Sequence, residues 1–319
     1  MGENLLKEHP GFHCGVISYF DGMHHQHRAL LEYGLKLAGG EHSRLLVVVV
    51  QDKGLSGGQN PGSLLSPEER GSMIEGLGYK NIVLAGLPGH SFRSEEDPIM
   101  EIVAGKTGLL IPGVDVVQRG REQERHPLDL LLKQFPGLRI DQGFSRMFEK
   151  DFSPEIARLI AEGNMWDAFQ KAGYAYFLNG QVVEGNKIGR TLGYPTANLK
   201  PEHPEKVEPG QGVYAALVKV EGEWYQSMVN IGIRPTLDLE NVTIEAHLFD
   251  FDKNIYGQEI AIHFLHRIRD EMRFTSLSEL KEQLKLDQTN TLDKLSKVSK
   301  EIVRTGNFIF SLELPAKEK

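Results

Sequence analysis

The chain has 319 residues, enough for one large or two ordinary domains, and 40% hydrophobic and 25% charged residues make a normal globular composition. The net charge of −8 argues against a general nucleic-acid-binding protein, although local cations and backbone N–H groups could still bind an anionic small molecule. The single cysteine, Cys14, cannot form an internal disulfide, and no apolar run approaches membrane-spanning length. We therefore expect a cytoplasmic protein with small-molecule substrates and neither nucleic-acid nor membrane partners; its oligomeric state is left open.

The first half of the chain alternates strand and helix patterns. Residues 27–40 carry apolar side chains at helical spacing and end on glycines. Ser66, Pro67 and Glu69 form a capping box with proline at the first helical position. This alternation predicts an open α/β sheet that binds ligands at the carboxyl ends of its strands. Two short apolar runs, 15–20 and 45–50, predict strands buried on both faces of a parallel sheet, and 81–87 and 108–114 are further strand candidates.

After about residue 174 the pattern changes to short alternating strands. Residues 212–233 alternate and are interrupted by a Glu-Gly turn, as in a β-hairpin. Further strands are predicted at 243–251 and 258–268, on either side of the turn-like segment 252–257. Mostly antiparallel strands of this length indicate a small barrel.

A terminal helix is predicted to pack on this barrel. Ser276 and Glu279 form a second capping box, and Leu277, Leu280 and Leu284 lie on one helical face. We therefore predict three segments, of which the last has no structural assignment: 1–173, 174–290 and 291–319.

Residues 185–199, GNKIGRTLGYPTANL, combine flexibility, positive charge and oxygen ligands. Thr196 and Asn198 face the same way in an extended backbone, and a hydroxyl with an amide carbonyl suits Mg²⁺ bound to a nucleotide phosphate. The alternative is a glycine-rich turn in which these side chains satisfy local backbone groups. The other candidate phosphate-binding residues permit close backbone approach or supply charge: Gly185, Gly189, Gly193, Lys187 and Arg190.

The segment TIEAHLFDF supplies a candidate base. Glu245 shares one strand face with His247 and Phe249, and a carboxylate at the rim of a barrel could take a proton from an alcohol. The alternative is a surface carboxylate paired with a lysine or an arginine.

Five ordered blocks then resemble one known family. They are GNKIGRTLGYPTANL, GVYA, NIGIRPT, EAHLFDF with YG, and RIRDEMRF. Together they look like the riboflavin kinase module of the bacterial bifunctional riboflavin kinase/FMN adenylyltransferases, over about residues 176–290. The resemblance implies a six-stranded barrel that transfers the γ-phosphate of ATP to the 5′-hydroxyl of riboflavin, with Mg²⁺ required.

The resemblance also implies roles for individual residues. The glycine-rich flap around 185–193 would cover the phosphates, and Thr196 and Asn198 would hold Mg²⁺ and phosphate. Glu245 would accept the proton of the ribityl hydroxyl, and Arg269 would lie near the flavin or the phosphates. Tyr194 stands where the family usually has phenylalanine.

The segment SYFDGMHHQH, residues 18–27, follows a predicted strand and opens a helix. His24 and His27 are three apart, so both project from one face of the first helical turn, where imidazoles and free N–H groups can bind nucleotide phosphates. The alternatives are two surface histidines in a polar cap, or a metal-binding pair. The segment resembles the FDGxHxGH signature of nucleotidyltransferases, which Asp21 and Gly22 also match, and Asp115 in IPGVDV resembles the later GxDF block.

In this family the first domain has a Rossmann-like nucleotidyltransferase fold and transfers AMP from ATP to FMN, which gives FAD and pyrophosphate. This chain departs from the family pattern at several points. Gln26 and Ser18 replace glycines, the TFxPHP block has no clear equivalent, and SSTxIR becomes FSPEIA, with Pro154 and Ala157 in place of threonine and arginine. The loss of an arginine fork removes a strong ligand for a triphosphate.

The segment FSPEIARLIAEG is typical of an ordinary capped helix, begun by Ser153 and ended by Gly163. The leading interpretation is an FMN-forming kinase with an adenylyltransferase-like first domain. The alternatives are a fully bifunctional enzyme that makes FAD and a catalytically silent flavin- or nucleotide-binding regulator.

Overall fold

The computed structural model divides into two compact units, Met1–Glu155 and Ile156–Lys319. The predicted boundary between residues 173 and 174 lies further along the chain and stays a prediction. The structure describes most of both units: residues 11–50, 62–85, 103, 105–121, 127–185, 188–235 and 240–305.

The first unit is an α/β fold on a parallel sheet, which confirms the predicted architecture. Every residue of the first two strands is buried, as their continuous apolar sequences predict. In the described part of the unit, five strands have the order β3-β2-β1-β4-β5: β1 Cys14–Ser18, β2 Leu45–Val50, β3 Ile82–Ala85, β4 Leu109–Pro112 and β5 Arg139–Ile140.

Helices and 3₁₀ turns connect these strands. The predicted capping box is formed in α2, because the Ser66 hydroxyl accepts from Glu69 N–H at 3.2 Å and the Glu69 carboxylate accepts from Ser66 N–H at 2.9 Å. Cys14 is fully buried, which raises the pKa of its thiol to about 11. The helical segments are α1 His25–Leu37, 3₁₀ His42–Arg44, α2 Pro67–Gly76, α3 Val114–Arg121, α4 Pro127–Gln134 and 3₁₀ Ser145–Met147.

The second unit contains the predicted closed barrel of antiparallel strands. The hairpin between β8 and β9 turns at Glu221 and Gly222, whose φ values of 50° and 89° fit a type I′ turn. Six described strands close in the order β10-β7-β6-β11-β8-β9: β6 Phe177–Val183, β7 Ala197–Pro201, β8 Gly212–Val220, β9 Glu223–Pro235, β10 Glu240–Leu248 and β11 Glu259–Arg269.

Four further helices complete the description: α5 Ser153–Ala161, α6 Met165–Ala172, α7 Ile188–Leu192 and α8 Leu277–Thr305. Gly163 ends α5 as predicted, with φ of 80° and its N–H bonded to the Ile160 carbonyl. The prediction that the Ser153 side chain caps the start of α5 is wrong. The Asp151 carboxylate accepts from Ser153 N–H at 3.1 Å, while the Ser153 hydroxyl donates to the Asp21 carbonyl at 2.7 Å.

Helix α8 continues well beyond residue 290. Its inner face buries Leu295 and Val298 against Phe169, Leu217 and Leu265, so residues past the predicted end of the kinase domain still pack on the barrel. At its start, Ser276 Oγ accepts from Glu279 N–H, whereas the Glu279 carboxylate reaches back to Thr275.

Among the described residues, none of the helices combines the length and the apolar character needed to cross a membrane.

Candidate active site

Strand pairing and one hydrogen bond bring three of the predicted residues together: Thr196, Asn198 and Glu245. Glu245 on β10 lies directly opposite Asn198 on β7 and Asn230 on β9, so the three side chains leave the same face of the barrel wall. The Thr196 hydroxyl, just before β7, donates to Glu245 Oε2 at 3.3 Å. A hydroxyl, an amide and a carboxylate therefore meet at one point on the barrel.

The glycine-rich segment lies against this point. A Cβ at Gly185 would come within 2.3 Å of Asn198 Nδ2, and one at Gly189 within 2.2 Å of the Tyr194 carbonyl oxygen. Gly193 has φ of 86°, which favours glycine. Lys187 lies outside the described residues.

His247 holds the entrance to β7 in place, a role that the sequence did not predict. Its Nδ1–H donates to the Pro195 carbonyl at 2.7 Å, one residue before Thr196. Burial lowers the pKa of His247, although the bond to Pro195 opposes this shift, so the ring is neutral at pH 7. Tyr194 packs edge-on against the same ring, and its hydroxyl donates to Gln288 on α8 at 3.4 Å.

A cavity of about 360 Å³ lies next to Thr196. Arg190 and Thr196 from the glycine-rich side line it, together with apolar barrel residues such as Ala246. Residues 251–256 form the rest of the wall and include two aromatic rings, Phe251 and Tyr256. From the sequence, most of this segment is predicted only as a turn.

Arg269 makes a contact other than the predicted one. Its guanidinium forms a bidentate ion pair with Asp287 on α8, at 2.8 Å between Nη2 and Oδ2 and 3.0 Å between Nε and Oδ1. Asp287 is fully buried and also accepts from Gln283 at 2.8 Å. Arg269 thus anchors α8 to β11, and its predicted place near the flavin or the phosphates stays a prediction.

Beyond Glu245, the same row of side chains ends in a second carboxylate. Asn230 Nδ2 donates to Glu271 Oε1 at 3.4 Å. A Cβ at Gly232 would fall 1.9 Å from that oxygen, so only glycine lets the Glu271 carboxylate lie there. Asn230 lies in the block NIGIRPT and Glu271 in the block RIRDEMRF, but the sequence spacing of these blocks does not predict that the two side chains meet.

The histidine pair of the first unit is buried, so the surface alternative is wrong. His24 is 0% and His27 3% exposed, and their rings stack with centroids 3.9 Å apart. His24 Nε2 lies 3.2 Å from Asp151 Oδ1 and 3.2 Å from Ser153 Oγ. Burial, and then the charge of His27, lower the pKa of His24 to about 4, so its imidazole is neutral at pH 7.

Asp115 is the partner of the second histidine. Its Oδ2 lies 3.3 Å from His27 Nε2 and accepts from Ser18 Oγ at 2.7 Å and Tyr19 N–H at 2.9 Å. Burial raises the pKa of this carboxyl, but the hydrogen bonds from His27 and Ser18 and the charge of Arg119 outweigh it and lower the pKa. Ser18, which replaces a family glycine, therefore helps to keep Asp115 ionised.

Asp21 and Gly22 lie beside this pair and tie it to the segment before α2. Asp21 Oδ1 accepts from Leu64 N–H at 2.9 Å and from Arg70 Nη2 at 3.2 Å. Gly22 has φ of 86°, and a Cβ there would meet Leu64 Cδ1 at 2.4 Å. In this arrangement both residues stabilise the loop that leads into α1.

Gln26 and Ala157, two residues at which the chain departs from the family pattern, both have structural roles. The Gln26 amide donates to the Lys150 carbonyl at 2.8 Å and accepts from Phe152 N–H at 3.2 Å, so it fastens residues 150–152 over the histidines. Ala157 is 3% exposed inside α5. An arginine at position 157 would not fit without rearrangement of the helix packing.

Comparisons with known proteins point to one family. The Flavokinase family model, described as riboflavin kinase, matches residues 172–295. The bifunctional riboflavin kinase/FMN adenylyltransferase of Bacillus subtilis strain 168 is 30% identical over 314 residues, which cover 93% of this chain and 97% of that protein. The Haemophilus influenzae protein with the same description is 40% identical over 136 residues, which span 42% of this chain and 44% of that relative.

A solved structure described as a macrolide-efflux protein from Streptococcus pneumoniae has a TM-score of 0.69 and 26% identity, and the match covers 90% of this chain and 96% of that one.

The barrel and the family match define the second unit as a riboflavin kinase domain. The chain as a whole belongs to the bifunctional riboflavin kinase/FMN adenylyltransferase family.

Proposed function

We propose that the second unit transfers the γ-phosphate of ATP to the 5′-hydroxyl of riboflavin and so makes FMN. Membership of the family places the chain in flavin cofactor biosynthesis, with ATP and riboflavin as substrates. The observation that carries the proposal is the meeting of Thr196, Asn198 and Glu245 on one face of the barrel.

The cavity beside Thr196 suits the nucleotide. Phe251 and Tyr256 offer aromatic surface for a base, and Lys253 and Arg190 offer positive charge for phosphates. Thr196 lies in the cavity wall while its hydroxyl bonds to Glu245. A triphosphate that runs past Thr196 would therefore bring its last phosphorus toward the carboxylate.

The donor atoms at this point suit Mg²⁺. The Thr196 hydroxyl and the Asn198 carbonyl are hard oxygen ligands, and Gly185 has no Cβ to push the Asn198 amide aside. These two residues would hold the ion together with the phosphates. When bound, Mg²⁺ neutralises negative charge on the transferred group.

Glu245 would act as the general base. Its carboxylate takes the proton of the 5′-hydroxyl as the oxygen bonds to the γ-phosphorus, and the bond from that phosphorus to the ADP oxygen breaks. The hydrogen bond from Thr196 fixes the carboxylate in position. The flap around Gly185, with Gly189, Lys187, Gly193 and Arg190, would cover the phosphates and exclude water.

A second candidate function is FAD synthesis by the first unit, which the full-length match to a bifunctional relative favours. Asp21, Gly22, His24, His27 and Asp115 would then form the nucleotide site. Against efficient transfer, both histidines are buried under residues that Gln26 holds in place. We therefore propose the kinase as the principal activity of the chain.

The products distinguish the candidate functions. The purified full chain is incubated with riboflavin, ATP and Mg²⁺, and FMN is separated from FAD by chromatography. FMN alone supports the kinase, and accumulation of FAD supports the bifunctional enzyme. If neither product forms, the kinase proposal is wrong and a silent flavin- or nucleotide-binding regulator is favoured.

A further inference from the structure

The histidine pair of the first unit belongs to a buried cluster that the kinase reaction does not use. His24, His27 and Asp151 each bring one potential ligand atom to within 4.8 Å of the other two. All three side chains are buried. Two imidazoles and a carboxylate are typical ligands of zinc and related ions.

The spacing within the cluster approaches that of metal ligands. His24 Nε2 lies 3.2 Å from Asp151 Oδ1, and two ligands of a tetrahedral ion with bonds of about 2.0 Å are about 3.3 Å apart. Ser153 Oγ lies 3.2 Å from the same nitrogen and offers a fourth donor. His27 stacks beside His24 with the ring centroids 3.9 Å apart. An ion lies in the plane of each imidazole that ligates it, so the His27 ring would have to turn out of this stack to complete the set.

In each of the two imidazole rings, those of His24 and His27, the buried Nδ1 atom has no hydrogen-bond partner among the described residues. On its other side, His27 Nε2 lies 3.3 Å from Asp115 Oδ2, which is held in turn by Ser18. A histidine that donates one N–H to a carboxylate and offers its other nitrogen to an ion is the usual arrangement around zinc.

The local charge favours a cation over a phosphate. The carboxylates of Asp115 and Asp151 both face the histidines. Arg119 lies within electrostatic reach of both carboxylates and balances one of their two negative charges. A phosphate at this position would meet the remaining negative charge, whereas a divalent cation would neutralise it.

We propose that His24, His27 and Asp151 bind a divalent first-row transition-metal ion such as Zn²⁺, with Asp115 orienting His27. The ion would hold the start of α1 against residues 151–153, where the family pattern has a phosphate site. All the ligands lie in the first unit, so the proposal is independent of the kinase function.

The test uses the full chain after removal of metal with a chelator. Zn²⁺ is titrated in competition with a chromophoric chelator, and bound metal is counted by mass spectrometry. We expect one tightly bound Zn²⁺ in the wild type. His27→Ala should weaken binding by more than about 100-fold, since loss of a mere outer-shell partner already costs about 10–100-fold, and Asp151→Asn should weaken it by at least about tenfold.

His25→Ala is the matched control, because His25 is the exposed neighbour on the same helical turn and should bind zinc as the wild type does. Zn²⁺ should raise the Tm of the wild type and of this control. Co²⁺ bound to the wild type should give a ligand-field spectrum that the Asp151→Asn substitution alters. This spectrum tests whether Asp151 is a metal ligand even if His27→Ala does not fold. If the wild type binds zinc no more tightly than Asp151→Asn, or the control loses equal affinity, the cluster is only a set of hydrogen bonds.

Discussion

Glu245→Gln tests the proposed base with little disturbance of the fold. Glutamine has nearly the same shape and keeps a carbonyl oxygen that can accept the 3.3 Å hydrogen bond from Thr196. The strand pairing with Asn198 and Asn230 uses backbone atoms and is unaffected. The substitution therefore removes the proton acceptor and leaves its surroundings in place.

The expected loss follows from the chemistry of general bases. Proton transfer to a positioned base contributes about 10²–10⁴-fold to a rate. FMN formation should therefore fall at least about 100-fold, equivalent to about 2.7 kcal/mol of transition-state stabilisation. Because the carboxylate acts on the reacting hydroxyl, the loss should appear in kcat, with KM for ATP little changed.

The assay follows FMN by chromatography over a range of riboflavin and ATP concentrations. Glu259→Gln is the matched control, because Glu259 is an exposed carboxylate at the start of β11 and its loss should leave the rate unchanged. Wild-type turnover in Glu245→Gln would exclude Glu245 as the base. A collapse of its thermal stability would show that the carboxylate supports the fold.

Three further predictions concern other parts of the chain. Gly185→Ala should reduce FMN formation at least about tenfold without unfolding the barrel, because its Cβ would displace the Asn198 amide. Gly71→Ala is the control, because Gly71 lies in open space on a helix. Equal rates of FMN formation in the two variants would contradict the close approach of Gly185 to Asn198. Burial, and then the charges of two lysines, lower the pKa of His263 to about 3, below its unfolded value of about 6.5. The native state therefore binds fewer protons than the unfolded state, and the free energy of unfolding should fall as the pH drops from about 6.5 toward 3. Between pH 7 and pH 5, urea unfolding should show the wild type losing about 1–2 kcal/mol more than His263→Phe, and equal losses would exclude the ring as the cause. Ala157→Arg should not create strong FAD synthesis, since position 157 is 3% exposed and Gln26 remains; abundant FAD from this variant would show that the first site was otherwise complete.

Sequence patterns predicted the architecture because its elements follow from local chemistry. The run at 45–50 coincides with β2, and the Ser66 capping box starts α2 as predicted. The Glu-Gly turn lies between β8 and β9. In each case the signal is contained within a few consecutive residues, so tertiary contacts had little to change.

The contacts between distant segments could not be predicted in this way. The approach of Glu271 to Asn230 depends on the absence of a side chain at Gly232, two residues further along β9. Similarly, Arg269 pairs with Asp287 only because α8 returns along the barrel. A charged residue in a sequence does not reveal whether its partner is a substrate or a helix.

The histidine pair illustrates the same limit. Its helical spacing was clear, but its burial depends on residues 150–153, far along the chain. No local pattern indicates that Asp151 and Ser153 approach His24. Two of the three candidate ligands could therefore be identified from the sequence, and Asp151 could not.

The most direct test of the account is a crystal structure of the full chain with riboflavin, Mg²⁺ and a non-hydrolysable ATP analogue. We predict that the 5′-oxygen of riboflavin lies within about 3 Å of the Glu245 carboxylate, in line with the γ-phosphorus, with Thr196 and Asn198 on the metal. A flavin hydroxyl more than about 6 Å from Glu245, with no water between them, would contradict it.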